Sequence, residues 1–388
     1  MTDQELIHLA QGLIRIPSVS GEELEVAEYL AKRLAPIFDT VRVDATANVI
    51  AELAGREPGP TILLNGHIDV VDAGEMGDAW SGKLTDGTPW GRPGPVIFGR
   101  GASDMKGPIA ALVAAVSKVK QESFAGRIIF TAVVQEEMGE GVGTRVATAA
   151  LDRKPDIAIS AEPTDFAIGL GHRGKVEFEL ETRGRTAHSS IPHTGVNALL
   201  LMNAFLNAWP ELPMPEHMLA GPCTSAITNI TVSPGRLAVI PDRCRLYFDV
   251  RFLPGESAAR PEGDVRALLE RLKETVPHFE YDLRVRMVMP SYLMPPDHPA
   301  VELLATVVRS VTGKTPARDC YRAGTDGTFL WNEFQIPVLG CGPGDMRLAH
   351  TPIEHISVQD LVQARDMYAA LIQQIGRAGS GVLQMPRA

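Results

Sequence analysis

Two adjacent acids at the end of an apolar run, Glu136-Glu137 in RIIFTAVVQEEMGEG, pose the chemical question, because other liganding residues share their setting. These are His67-Ile68-Asp69 after TILLNG, Asp104 in GRGASDMKG, and Glu162 in IAISAEP. Each stands where a predicted strand gives way to a loop, the edge of an open α/β sheet at which ligands bind. With His350 in RLAHTPIEH, the set offers two imidazoles and three carboxylates, with one acid to spare. That is the ligand inventory of a hydrolase with two metal ions.

Taken singly, each cluster has an ordinary reading. His67 alone would be a hydrogen-bonded loop histidine, Asp104 a helix cap, Glu136-Glu137 a solvated pair and His350 a surface-loop residue. Beside a divalent cation the repulsion between adjacent anions is relieved, so one acid can ligate while the other accepts a proton from water. Asp69, two residues after His67, stands where a carboxylate can fix a ligand's tautomer. Pro163 removes a backbone donor and leaves Glu162 at the strand rim. The recurrence of the pattern at successive strand ends is what favours metal binding.

The elements that must position these residues follow from periodicity. Apolar runs of strand length at TILL, RIIFTAVV, DIAIS and IPVLG suggest buried strands of a mostly parallel sheet flanked by helices, an α/β fold. Thr2-x-x-Glu5 and Ser20-x-x-Glu23 read as capping boxes opening helices that end near Ile14 and Leu34. After SDMKG, apolar residues at Ile109, Leu112, Val113, Val116 and Val119 predict a helix with one face on the sheet. Between about Lys175 and Met289 the order becomes β-α-β-β-α-β, a ferredoxin-like α+β domain inserted into the larger one. The predicted division is residues 1–174 and 290–388 for the catalytic domain and 175–289 for the insert. The tail from Gly376 lacks periodicity and reads as frayed.

Composition narrows the function. At 388 residues, with 45% hydrophobic and 22% charged residues, the chain suits a soluble protein of two domains. A formal net charge of -10 argues against nucleic acid and anionic membranes as partners. No run approaches the roughly 18 apolar residues of a membrane span, and no signal-peptide pattern opens the chain. Cys223, Cys244, Cys320 and Cys341 have no ligand spacing and read as reduced thiols. The expectation is a cytoplasmic enzyme acting on a small molecule. A nucleotide-binding reading of GRGASDMKG fails, because Gly-x-Gly-x-x-Gly spacing is absent.

The ordered segments HIDVV, GRGASDMKG, QEEMGEG, AEPT, GRTAHSS, DVRFLPG and AHTPIEHI resemble the acetylornithine deacetylase and succinyl-diaminopimelate desuccinylase family. That family comprises dinuclear zinc hydrolases and has aminoacylase, carboxypeptidase and dipeptidase relatives. The resemblance runs from about Ile14 to Ala370 and implies a zinc-exopeptidase-like catalytic domain with an inserted lid or dimerisation domain. It implies that Asp104 bridges two Zn2+ ions, with His67 and Glu162 on one and Glu137 and His350 on the other. Co2+ or Mn2+ could fill the same sites. Glu136 would be the general base towards the attacking water and Asp69 would orient His67. The peptide after Asp104 is expected to be cis.

The resemblance also gives His188 in TAHSS the role of oxyanion donor, supplied across a homodimer, against the plain reading of a strand-end histidine. His193 is a second histidine in that segment. Arg251 in DVRF would hold a substrate carboxylate rather than be an exposed strand charge, and Gly324-Thr325-Asp326 would line the substrate pocket. One departure stands out. Relatives often carry Asn thirteen residues before the arginine, where this chain has Ala238. The implied reaction is cleavage of the amide of an N-acyl amino acid or similar small molecule, with a dipeptidase or carboxypeptidase as the alternative on the same metals.

Overall fold

The computed structural model describes residues 1–383, and these form two compact units. The first comprises Met1–Gly171, Met294–Cys320 and the chain from Thr325; the second comprises His172–Leu293 and Tyr321–Gly324. The boundaries thus lie a few residues outside those read from the sequence. The His172 ring meets Tyr292 edge-on at 5.0 Å, which keeps both with the second unit. Gly324 joins it because it abuts Met289 Sδ so closely that a Cβ would collide.

In the first unit the main sheet runs in the order Thr40–Val43, Val49–Ala54, Ala125–Val133, Glu57–His67, Ile157–Ser160, Val338–Gly340 and Ile168–His172. Only the centre is parallel: Glu57–His67 pairs in parallel with Ala125–Val133 and Ile157–Ser160, and Val338–Gly340 with Ile157–Ser160. The sheet is therefore mixed rather than mostly parallel. The Thr40–Val43 and Val49–Ala54 strands are antiparallel because they are joined by a short turn. In that turn Asp44 Oδ1 accepts the amides of Thr46 and Asn48 at 2.8 and 3.0 Å. Ile62, Leu63, Leu64, Ile128, Ile129 and Phe130 are buried, as expected of central strands covered on both faces.

The helix Lys106–Glu122 is buried around most of its circumference, not on one face. It packs against Asp3–Ile14 and Val358–Ala378 as well as against the strand Glu57–His67. Its small residues Ala110, Ala111, Ala114 and Ala115, which periodicity ignores, make that close approach possible. The tail read as frayed from Gly376 is helical through Ala378, and Ser380–Leu383 forms a 3-10 turn. A Cβ at Gly376 would lie 2.9 Å from the Ala125 carbonyl, so this glycine serves close packing. Residues 384–388 lie outside the described residues. No helix among the described residues is long and apolar enough to cross a membrane.

The second unit has the β-α-β-β-α-β order. Its antiparallel sheet runs Thr224–Ser233, Arg243–Phe252, Gly174–Arg183, Glu280–Met289. The helices Ala198–Ala208 and Ala259–Thr275 cover one face through Phe205, Met202, Leu268 and Leu269, packed with Phe178, Leu180, Leu246 and Phe248. Alternation along RCRLYFDVRF places Cys244, Leu246, Phe248, Val250 and Phe252 inward.

Candidate two-metal centre

Parallel register brings the liganding strand ends together. His67 pairs with Val133, three residues before Glu136, and Asn65 pairs with Ser160, two before Glu162. Asp104 precedes the helix Lys106–Glu122, and the Asp104–Met105 peptide is cis, as the resemblance implied. His350 adopts φ 64° ahead of the short strand His355–Ser357.

Two groups of ligand atoms result, each within 4.8 Å of one another: His67, Asp104 and Glu162, and Asp104, Glu137 and His350. Asp104 belongs to both. Its Oδ1 lies 3.0 Å from His67 Nε2, and its Oδ2 lies 3.5 Å from His350 Nε2. His350 Nε2 is 2.9 Å from Glu137 Oε1. His67, Asp104 and Glu162 are buried, whereas the His350 side chain is 49% exposed, so the second group faces solvent.

The electrostatics suit cations. Burial pushes the Glu162 carboxyl up to about 8, and the carboxylates of Asp104, Asp326 and Glu137 add to the effect against the pull of His67. Burial raises Glu136 well above the usual carboxylate range, and Glu162, Asp326 and Glu137 reinforce it. Burial also opposes ionisation of Asp104, but hydrogen bonds from His350 and His67 hold it well below its ordinary value. His350 is raised to about 10, first by Asp104 and then by Glu137. Positive charge is what this concentration of anions lacks, and oxygen and imidazole donors suit Zn2+, Mn2+ or Co2+.

Asp69 meets His67 chiefly through its main chain. The hydrogen-bond partner of His67 Nδ1 is the Asp69 carbonyl at 2.9 Å, while the nearer carboxylate oxygen stands at 3.5 Å. This main-chain bond turns Nε2 towards Asp104. The Asp69 side chain instead accepts the amides of Glu136 and Glu137, each at 3.1 Å, and Ser20 Oγ at 2.7 Å. It is buried and anchors the backbone of the acid pair.

Ser20 and Glu23, read as a capping box, serve this site. Glu23 Oε1 accepts Gly21 at 2.8 Å and Gln135 at 3.2 Å, and Glu23 stands as N-cap of Leu24–Leu34 without a side-chain capping bond. Gln135 has φ 58°, so Glu23 supports a left-handed turn immediately before the acids. Asp326, expected only as part of the pocket-lining segment, also stands beside the acids. It is buried, accepts Thr144 Oγ1 at 2.6 Å, and is raised to about 6 chiefly by burial.

The remaining predicted residues divide between the units. Thr325 is buried in the first, while Gly324, His188, His193 and Arg251 belong to the second. Arg251, on the strand Arg243–Phe252, pairs with Asp249 Oδ1 at 3.2 Å. His193 lies exposed in the turn Pro192–Thr194. His188 is exposed, and its Nδ1 accepts the Ser190 amide at 3.2 Å with Ser190 Oγ at 2.7 Å. With Nδ1 accepting, the ring proton of a neutral His188 sits on Nε2 as an outward donor.

Residues 63–374 match peptidase family M20/M25/M40. The chain is 28% identical over 388 residues to an uncharacterized protein, YgeY, of Escherichia coli K12, covering 95% of this chain and 93% of that one. It is 29% identical over 401 residues to a succinyl-diaminopimelate desuccinylase of Methylorubrum populi, covering 96% and 99%. Similar solved structures include an M20 family metallo-carboxypeptidase from Sulfolobus solfataricus, with TM-score 0.78, 16% identity and coverage of 96% and 99%. Another is a dinuclear metal binding peptidase of the M20 family from Bacillus subtilis, with TM-score 0.73, 16% identity and coverage of 97% and 98%. At these identities the structural likeness is one of fold.

Proposed function

We propose that this chain, which belongs to peptidase family M20/M25/M40 and is a metal-dependent hydrolase, cleaves the amide bond of an N-acylated amino acid or a similar small molecule. The observation that carries this reading is the pair of ligand groups sharing Asp104, with Glu136 beside them. The desuccinylase relative, which spans nearly the whole chain, supports an acylated amino acid over a longer peptide.

In this reading His67, Asp104 and Glu162 hold one cation, and Asp104, Glu137 and His350 hold the other, with zinc as the native metal. Two bound cations would polarise the scissile carbonyl and lower the pKa of water towards about 7. Glu136, fixed through its amide by Asp69, takes the proton of the attacking water and delivers it to the leaving amine. Asp326 keeps further negative charge beside the acid pair. His188 donates its Nε2 proton to the developing oxyanion. Arg251 exchanges Asp249 for a substrate carboxylate, and the Gly324-Thr325 segment lines the pocket.

His188 acts, in the same proposal, across a homodimer. The strand Thr224–Ser233 is a sheet edge, paired on one side only among the described residues, and it exposes Ile227, Ile230 and Val232. An exposed apolar edge is a template for a second copy, and a twofold contact there would be self-complementary. The four buried free cysteines agree with a cytoplasmic setting.

The test is turnover by metal-reconstituted protein of a panel of N-acetyl amino acids, N-succinyl amino acids and dipeptides. Preference for the acylated amino acids is expected. A preference for dipeptides would replace this reading with a peptidase using the same residues, and no turnover of the panel would overturn it.

A further inference from the structure

Glu354 is fully buried, yet the proposed reaction makes no use of it. Its Oε1 accepts the backbone amides of Ser103 at 3.0 Å and Asp104 at 3.1 Å, and its Oε2 accepts Arg100 Nη1 at 2.6 Å. Arg100 is buried too and donates to the Thr351 carbonyl at 3.4 Å, while the Glu354 carbonyl accepts the Gly99 amide at 3.1 Å. The segment Gly99 to Asp104 is thus tied repeatedly to the segment Thr351 to Glu354, which directly follows His350.

Neutralising a buried arginine would require only one oxygen of Glu354. The other is committed to the two amides at the bend that carries Asp104. A buried carboxylate is costly unless paired and hydrogen-bonded, and here every bond it makes serves this junction. The junction bears unequally on the two ligand groups. Asp104 and His350, one on each tied segment, are two of the three members of the solvent-facing group, whereas the buried group draws only Asp104 from them.

We infer that Glu354 is a positioning residue that sets the separation of Asp104 from His350 and thereby the cation affinity of the group Asp104, Glu137 and His350. The inference rests on the reading of these groups as cation sites. Outer partners of metal ligands typically contribute about 10–100-fold in affinity. Loss of Glu354 should therefore weaken one equivalent by about 10–100-fold and leave the other nearly unchanged.

Calorimetric titration of metal-free, full-length protein with Zn2+ tests this. Wild type is expected to bind two equivalents, and failure to bind any would overturn the cation reading and this inference together. Glu354→Gln keeps the side-chain volume but turns an amide donor towards Arg100, and it should show the selective loss. Glu354→Asp keeps the charge and should recover part of it. Two equivalents at wild-type affinity in folded Glu354→Gln, or equal weakening of both, would overturn the role of Glu354 while leaving the metal sites standing. If Glu354→Gln does not fold, hydrogen exchange in the wild type decides. Slow exchange of the Ser103 and Asp104 amides supports the inference, and exchange at the rate of open loop amides overturns it.

Discussion

The carboxylate of Asp69 accepts the backbone amide of Glu136 at 3.1 Å, so the acid that serves His67 through its carbonyl also fixes the proposed base. Asp69→Ala should leave the His67 contact in place, since that contact is made by the main chain. It should lower turnover by about 10–100-fold while metal content stays near wild type. The two amides left without an acceptor should cost about 1–3 kcal/mol each in stability, read from denaturant midpoints. Loss of metal with normal turnover per bound metal would show that the side chain serves the ligand instead.

Glu136→Gln preserves shape but cannot accept a proton. Turnover should fall by about 10²–10⁴-fold with both metals bound, whereas Glu137→Ala should lose one metal equivalent. Metal analysis beside single-turnover kinetics separates the two. Near-normal turnover in Glu136→Gln would remove Glu136 from the role of base.

His188→Ala should lower turnover by about 10²–10³-fold with its metals retained, the usual effect of losing one oxyanion donor. Mixing it with Glu136→Gln should restore part of the activity, because a heterodimer then holds one site with both groups. No recovery despite demonstrated subunit exchange would mean that the histidine acts within its own chain.

Ala238 has φ 59°, a left-handed conformation that costs an ordinary residue about 1–2 kcal/mol and suits asparagine better. Its carbonyl accepts the Ser189 amide at 2.9 Å, and Val239 forms a bridge with His188. Ala238→Asn should therefore stabilise the protein by up to about 1 kcal/mol. It should also change KM among acylated substrates more than kcat, and an unchanged substrate ranking would separate this position from specificity.

The clustering of His67, Asp104, Glu137, Glu162 and His350 was legible because each sits at an element boundary with a local motif. The β-α-β-β-α-β order of the second unit was legible for the same reason, since alternation and helical period are local. What stayed hidden depends on long-range contact. Ser20 and Glu23 fit a capping box perfectly well by spacing, and only the fold brings them to Asp69 and Gln135. Nothing in the AHTPIEHI segment signals the bonds of Glu354 to the amides of Ser103 and Asp104. The burial of the helix Lys106–Glu122 on several sides was concealed because alanine scarcely registers in a hydrophobic pattern.

Glu137 and His350, 2.9 Å apart in the folded chain, are separated by 213 residues of sequence. At ribosomal rates of about 5–20 residues per second, roughly 10–40 s pass between the synthesis of one and that of the other. Once Glu162 has followed Glu137, the buried trio of His67, Asp104 and Glu162 is translated, while the solvent-facing group still lacks its imidazole. Until His350 emerges, a nascent chain can present only the first of the two candidate cation groups complete, even though the inserted unit has by then been made.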